Sequence, residues 1–136
     1  MAPIKRLESL HNAMDRLEES IELMQKQELE MLHRQIRDSV IKSLEFCFDL
    51  LWKCLKDQLE MKHGILLASP RAIFKESWNV GIITEVEFNV FDRLASDRND
   101  TSHKYDETMA EAIAVRAKEY HATMSGVWIR LNSSEK

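Results

Sequence analysis

The first sixty residues carry apolar side chains at helical spacing. From residue 7 to residue 24 the spacing alternates between three and four, with charged residues between the apolar ones, which are Leu7, Leu10, Met14, Leu17, Ile21 and Met24. This spacing places them on one face of an amphipathic helix. The series breaks at Glu28, and a second one runs from Leu32 to Leu59. We predict two long helices with a turn near residues 26–33, and a single bent helix is the alternative because no strong helix breaker lies there.

Gly64 is placed to end the second helix, and a third helix follows it. Ser69 precedes Pro70, which is typical of an N-cap residue followed by proline at the first helical position. Gly81 lies where a left-handed residue would end this helix. The pattern therefore predicts a short helix between Ser69 and Gly81.

Two further helices are indicated by their start signals. Thr84 and Glu87 have the spacing of a capping box, which predicts a fourth helix. Asp106 is placed to cap a fifth helix, which we expect to end at Gly126. Residues 132–136 are then a polar C-terminal tail.

The composition narrows the fold class. The 136 residues include only three glycines and two prolines, too few for the many turns of a β-sandwich or a β-barrel. With 44% hydrophobic residues, the chain can bury a core as one domain spanning residues 1–136. We therefore predict an all-α protein, an antiparallel up-and-down bundle of four to five helices.

Charge and hydropathy exclude several classes of function. No apolar run reaches the roughly 18 residues of a membrane span, and the first ten residues lack the apolar segment of a secretory signal. These features predict a cytoplasmic protein with no membrane partner. The net charge of −4 is not that of a general nucleic-acid coat protein, although a local nucleotide or RNA site stays open.

The two cysteines predict neither a disulfide nor a metal site. Cys47 and Cys54 are seven residues apart, which on a helix separates them by roughly 10 Å, too far for a disulfide. No second cysteine or histidine pair stands at metal-ligand spacing. Both are therefore expected to be reduced thiols in the core.

The candidate chemistry lies in residues 97–107, between the fourth and fifth helices. On a continuous helix Arg98 and His103 would point roughly 140° apart, so they can converge only in a loop, which we predict here. His103 could then act as an acid or base on a phosphodiester, while Arg98 binds its phosphate oxygens. Capping and salt-bridge roles are the alternative for these two residues.

Several segments resemble one protein family. The motif Arg98-x4-His103-x-Tyr105 matches the R-x4-H-x-Y signature of HEPN-domain proteins, the helical partners of minimal nucleotidyltransferases. Residues 36–60 are similar to the family's IRD…FE…F-E-L-W-K helix, and residues 69–83 to its S-P-R…G segment. In order and spacing the resemblance covers roughly residues 36–120. The chain is thus identified as a member of the nucleotidyltransferase substrate-binding subfamily of HEPN proteins.

The sequence departs from the family pattern at three positions. Ser43 and Leu44 stand where the family shows Arg-Phe, and Asp49 replaces a glutamate. Loss of the arginine removes one expected charge contact, whereas the R-x4-H-x-Y residues are intact.

The resemblance implies a homodimer that brings two motifs to one cleft, and a small nucleotidyltransferase as a second partner. The cleft would bind a nucleotide or RNA substrate. The residues that would bind substrate or support the cleft are Asn99, Ser102, Lys104, Asp38 and Glu45. For Asp38 and Glu45 the sequence leaves a purely structural role open.

The resemblance also implies two alternative functions. In the first, the chain is a non-catalytic subunit that presents substrate to the nucleotidyltransferase. In the second, it is a metal-independent endoribonuclease toxin with Arg98 and His103 as catalytic residues, which the transferase silences by adenylylating Tyr105. A plain dimeric interaction protein is a third possibility. Neither of the first two needs a metal or cofactor, and the chain lacks the glycine-rich loop and paired aspartates of a transferase centre.

Overall fold

Most of the described part of the chain is helical. The structure is a computed structural model that describes residues 3–26, 30–103 and 106–134, without the side chains of residues 30, 31, 102 and 103. Over these ranges it has five helices and no strand. The helices are α1 (Pro3–Lys26), α2 (Glu30–His63), α3 (Pro70–Asn79), α4 (Glu85–His103) and α5 (Glu107–Ser134). The predicted all-α class is confirmed.

Helices α1 and α2 pack against each other in antiparallel orientation. Near one end, Arg6 donates to the Asp57 carboxylate at 2.9 Å, and towards the other end the hydroxyls of Ser20 and Ser39 lie 3.1 Å apart. Moving along the bundle, the residue numbers in α1 increase while those of their partners in α2 decrease, so the two helices run in opposite directions. The two apolar series therefore form separate helices, and the alternative of a single bent helix is wrong.

Helices α4 and α5 complete an up-and-down arrangement. They run antiparallel, since Glu87 contacts Arg130 and Asp97 contacts Arg116. Helix α5 also packs against α1, where Trp128 donates its indole N–H to the Leu7 carbonyl at 2.8 Å. The short α3 packs on α2 and α4. The structure is thus the predicted antiparallel bundle, and α3 is the short helix predicted between Ser69 and Gly81.

The buried faces of the helices form one apolar core. The α1 series predicted from spacing is buried as expected from residue 7 to residue 21, while Leu32 at the start of α2 is exposed. Cys47 and Cys54 are buried and free, as predicted. Burial raises the pKa of each thiol to about 12, which keeps both protonated.

Most predicted helix ends are confirmed. Gly64 and Gly81 adopt φ values of +65° and +85°, and α2 and α3 end beside them. Ser69 precedes α3 in an extended conformation, with Pro70 as the first helical residue, but its hydroxyl makes no capping hydrogen bond.

The start signals of α4 and α5 operate as predicted. The Thr84 N–H donates to Glu87 at 2.9 Å, and the Glu87 N–H donates back to the Thr84 hydroxyl at 3.2 Å, which is a complete capping box. The Asp106 carboxylate accepts the Met109 N–H at 2.8 Å at the start of α5.

Two predicted helix ends are wrong. Helix α4 continues to His103 through the polar residues that were expected to break it. The Thr101 hydroxyl donates to Glu45 of α2, with the Arg98 carbonyl also within reach at 2.9 Å, and the contact with α2 holds this turn of α4 against the bundle. Helix α5 continues through Gly126 to Ser134, because the turns beyond the glycine bury Val127 and Leu131. Residues 132–134 of the predicted polar tail are therefore helical.

No helix in the described ranges is long and apolar enough to cross a bilayer.

Candidate functional site

Arg98 reaches from α4 to two carboxylates on α2. Its Nη1 donates to Glu45 Oε2 at 2.8 Å, and its Nη2 lies 3.6 Å from Asp49 Oδ2. These carboxylates stand one turn apart on the face of α2 that packs against α4. The Arg98 side chain is 28% exposed and its Nε is buried, so the guanidinium lies at the edge of the core with part of it open to solvent.

Thr101 and a small cavity complete this side of the site. The Thr101 hydroxyl donates to the same Glu45 Oε2 at 2.9 Å. The cavity beside these side chains has a volume of about 10 Å³, and it is lined by Ile41, Leu44, Glu45, Leu94, Asp97, Arg98, Thr101 and Ile113. This volume is space for one water molecule at most. A ligand larger than a water molecule does not fit in this cavity.

A buried polar network fixes α4 to α5 next to Arg98. The Asp97 carboxylate is buried and accepts two hydrogen bonds from Arg116, at 2.7 and 2.9 Å, and one from the Tyr120 hydroxyl. Arg93 donates to the same hydroxyl at 3.2 Å. Burial, together with the bond to Asp97, raises the pKa of Tyr120 to about 12, and the bonds to Asp97 raise the pKa of Arg116.

Arg37 is a buried charged residue that the sequence analysis missed. Its side chain is 2% exposed, and its guanidinium donates to Glu107 at 2.5 Å and to Asp38 at 3.0 Å. Glu111 lies at 3.4 Å and also contacts His33 at 2.9 Å. The hydrogen bond to Glu107 raises the pKa of Arg37 and lowers that of Glu107.

The Arg37 cluster joins the start of α2 to the first turn of α5, directly after the candidate motif. Helical spacing could have found Arg37, because it lies three and four residues before the buried Val40 and Ile41. Arginine is expected at the surface, so a pattern of apolar positions does not include it.

The structure brings together only some of the predicted site residues. Arg98 and Glu45 are in direct contact, whereas Asp38 pairs with Arg37 instead, and Asn99 is exposed on α4. Lys104 and Tyr105 lie outside the described residues, as do the side chains of Ser102 and His103.

The predicted loop that would let Arg98 and His103 converge is absent. Both positions belong to one continuous α4, where five residues turn the chain by about 500° and leave the positions roughly 140° apart around the axis. The loop predicted between these two residues is therefore wrong.

Within the described residues, no group of three or more histidine, cysteine, aspartate or glutamate side chains is arranged to hold a metal ion.

The chain matches one protein-family model over almost its whole length. The family is described as nucleotidyltransferase substrate binding protein like, and the match covers residues 5–133. No curated protein matches significantly.

Solved structures of similar fold are known. A protein of Thermus thermophilus is 30% identical, with a TM-score of 0.79 over 90% of this chain and 98% of that one. A HEPN toxin of Shewanella oneidensis, tri-AMPylated and in complex with its MNT antitoxin, is 15% identical, with a TM-score of 0.77 over 96% of each chain. A chain from a toxin–antitoxin complex with AMP-PNP is 14% identical, with a TM-score of 0.77 over 95% of this chain and 96% of that one.

Proposed function

Since the chain belongs to the family of nucleotidyltransferase substrate binding like proteins, we propose that it is the partner subunit of a minimal nucleotidyltransferase and binds the nucleotide or RNA substrate around Arg98. The match over residues 5–133 is the observation that carries this proposal. It also confirms the resemblance found in the sequence. The Shewanella oneidensis relative, which forms a complex with an MNT antitoxin, supports a partner of the same kind.

Arg98 suits the binding role for chemical reasons. A guanidinium stays charged at every physiological pH and presents several N–H donors in a plane that fits phosphate oxygens. The pairing with Glu45 holds this group in place on the surface between α2 and α4.

The partnership is tested by co-expression with the minimal nucleotidyltransferase encoded nearest to this chain, followed by size-exclusion chromatography. We expect the two proteins to elute together. Arg98→Ala should leave this complex intact and weaken binding of the nucleotide or RNA. Arg71→Ala is the matched control, because Arg71 is an exposed arginine of α3 that pairs with Asp92. Separate elution of the two proteins would contradict the proposal.

A homodimer is part of the proposal. The cavity beside Arg98 holds at most one water molecule, so one chain offers no enclosed substrate site there. Two copies that face each other would form a cleft lined by both motifs. Sedimentation equilibrium of the purified protein should give twice the mass of one chain, and the mass of a single chain would contradict the dimer.

The second candidate function is a metal-independent endoribonuclease whose activity the transferase silences by modifying Tyr105. It is favoured by the intact Arg98-x4-His103-x-Tyr105 motif and by the fold shared with a tri-AMPylated toxin. AMP attached to a tyrosine adds bulk and a negative charge, and both would oppose an RNA phosphate in the same cleft.

Cleavage of a tRNA pool in EDTA tests this second function. The nuclease hypothesis expects cleavage by the wild type and none by His103→Ala. Tyr105→Phe should stay active in the presence of the transferase and ATP. Absence of cleavage by the wild type would leave the non-catalytic subunit as the function.

A further inference from the structure

The cationic group of Arg98 is shared between two carboxylates. Glu45 contacts Nη1 at 2.8 Å, and Asp49 lies 3.6 Å from Nη2. The side chains of Glu45 and Asp49 are 27% and 44% exposed, so a ligand approaching Arg98 from solvent also approaches them.

The charges of these three groups sum to minus one. The neighbouring Asp97 carboxylate changes this balance little, because its charge is compensated by two hydrogen bonds from Arg116. An anion at Arg98 is therefore attracted by one positive charge and repelled by two negative ones. Attraction and repulsion both double for an anion of charge minus two, so the net penalty from a group of charge minus one doubles as well. The number of hydrogen bonds that Arg98 can donate does not double, and these bonds therefore offset the penalty more completely for an anion of charge minus one.

We propose that Glu45 and Asp49 determine the specificity of the Arg98 site: they admit the singly charged internal phosphodiester of a nucleic-acid strand and disfavour a doubly charged terminal phosphate. This inference rests on the proposed function, because it takes Arg98 as the group that binds the substrate phosphate. Specificity of this kind comes from repulsion of the wrong ligand as much as from attraction of the right one.

The alternative is that Glu45 has a purely structural role, in which case removing its charge would not change which ligand binds. Glu45 also accepts the Thr101 hydroxyl, so it helps to hold the last turns of α4 against α2. Glutamine has the same shape, and its amide oxygen still accepts hydrogen bonds from Arg98 and Thr101. Glu45→Gln therefore removes the charge and keeps the contacts. Asp49→Asn does the same at the longer 3.6 Å contact, which contributes less to the stability of the fold.

The test compares two ligands with the full-length protein. The first is the dinucleotide ApA, which has one internal phosphodiester, and the second is ApA with a 5′-phosphate. At about pH 8 the terminal phosphate is close to doubly charged. Binding is followed by NMR titration of the Arg98 Nε–Hε signal, which is assigned by its loss in Arg98→Ala.

We expect the wild type to bind ApA more tightly than its 5′-phosphorylated form. In Glu45→Gln and Asp49→Asn the affinity for the phosphorylated form should rise about three- to tenfold, and that for ApA should rise less. The difference should shrink at high salt, because the charges are solvent-accessible. Glu60→Gln is the control: Glu60 is a similarly exposed glutamate of α2 that pairs with Lys56 and should leave both affinities unchanged.

The outcomes separate this inference from the proposed function. If ApA perturbs Arg98 but neither carboxylate variant changes the preference between the two ligands, Glu45 and Asp49 are structural and only the inference is overturned. If neither ligand perturbs Arg98 in any variant, Arg98 does not bind phosphate, and substrate binding at this site is overturned as well.

Discussion

Asp97 and Arg98 are neighbours in sequence but contact different helices. Consecutive residues of a helix point about 100° apart, so Asp97 faces α5 while Arg98 faces α2. The two side chains together fix how α4 is rotated between its neighbours. The carboxylate of Asp97 is buried and needs its hydrogen-bond partners, whereas the side chain of Arg98 is partly exposed.

The burial of Asp97 predicts a large effect of removing Arg116. Arg116→Ala leaves the buried carboxylate without its main countercharge, and we expect a loss of about 3 kcal/mol in the free energy of unfolding. Arg71→Ala removes an arginine from an ion pair with the half-exposed Asp92 and should cost less than about 1 kcal/mol. Urea unfolding followed by circular dichroism measures both. Equal losses would show that burial of Asp97 does not matter.

The two cysteines should be inert in the folded protein. Burial raises the pKa of Cys47 and Cys54 to about 12, so almost no reactive thiolate is present near neutral pH. We expect no reaction with a thiol-specific reagent such as Ellman's reagent in buffer, and reaction of both thiols after unfolding in urea. Rapid reaction in buffer would mean that the α2 core opens readily.

At the scale of elements, the ends of α4 and α5 are set by their contacts with other helices. Helix α4 passes through polar residues because Glu45 of α2 binds the Thr101 hydroxyl. Helix α5 passes through Gly126 because the residues beyond it pack into the core. Start signals depend on residues a few positions apart, as at Thr84 and Glu87, and they were predicted correctly for that reason.

Gly126 and Gly81 should respond to alanine in opposite directions. Gly126 lies within α5, and a Cβ there would have no atom within 4 Å. Gly126→Ala should therefore raise the free energy of unfolding by about 0.5–1 kcal/mol. Gly81 has φ of +85°, where alanine is strained, so Gly81→Ala should lower it by about 1 kcal/mol. Urea unfolding compares the two, and a destabilised Gly126→Ala would contradict the continuous helix.

The capping box of α4 should make stability depend on pH. Burial alone would raise the pKa of Glu87, but hydrogen bonds from Arg130 and from the Thr84 N–H lower it below its ordinary value of 4.5. Folding thus favours the ionised form, so its contribution is present above pH 4.5 and is lost as pH falls through the lower folded pKa.

Unfolding in urea from about pH 6 to about pH 3 tests this dependence. The stability difference between the wild type and Glu87→Gln should shrink as the pH falls. Glu85→Gln, at an exposed position of the same turn, is the control and should show no such trend. A constant difference for Glu87→Gln would contradict the mechanism.

At the scale of the whole molecule, the bundle is closed by contacts between its first and last helices. Trp128 of α5 donates to the Leu7 carbonyl of α1 at 2.8 Å, and its ring packs against His11 with centroids 4.8 Å apart. These contacts join residues more than a hundred positions apart. The family match over residues 5–133 includes both helices.

The hydrogen bond from Trp128 to Leu7 predicts that replacing Trp128 lowers stability more than replacing Trp78. Trp128→Phe keeps an aromatic ring but leaves the Leu7 carbonyl without its indole donor, so it should cost about 1 kcal/mol. Trp78→Phe is the control, because Trp78 is 37% exposed and stacks on Phe88, and it should change stability by less than about 0.5 kcal/mol. Thermal unfolding of both variants distinguishes them, and no effect at Trp128 would show that α1 is held by its apolar face alone.

Sequence alone determined the helical class, the buried face of α1, the buried cysteines and most caps, because each depends on side chains within a few turns of one another. It also identified the family through a motif that is contiguous in sequence. Only the tertiary structure decided how far α4 and α5 extend, because the energy that continues them comes from other helices. Likewise, it placed Arg37 in the core and Arg98 between Glu45 and Asp49. These charges are stabilised by partners some fifty to seventy residues away in the sequence. The local pattern of residues does not show which distant residues will be neighbours in the folded protein.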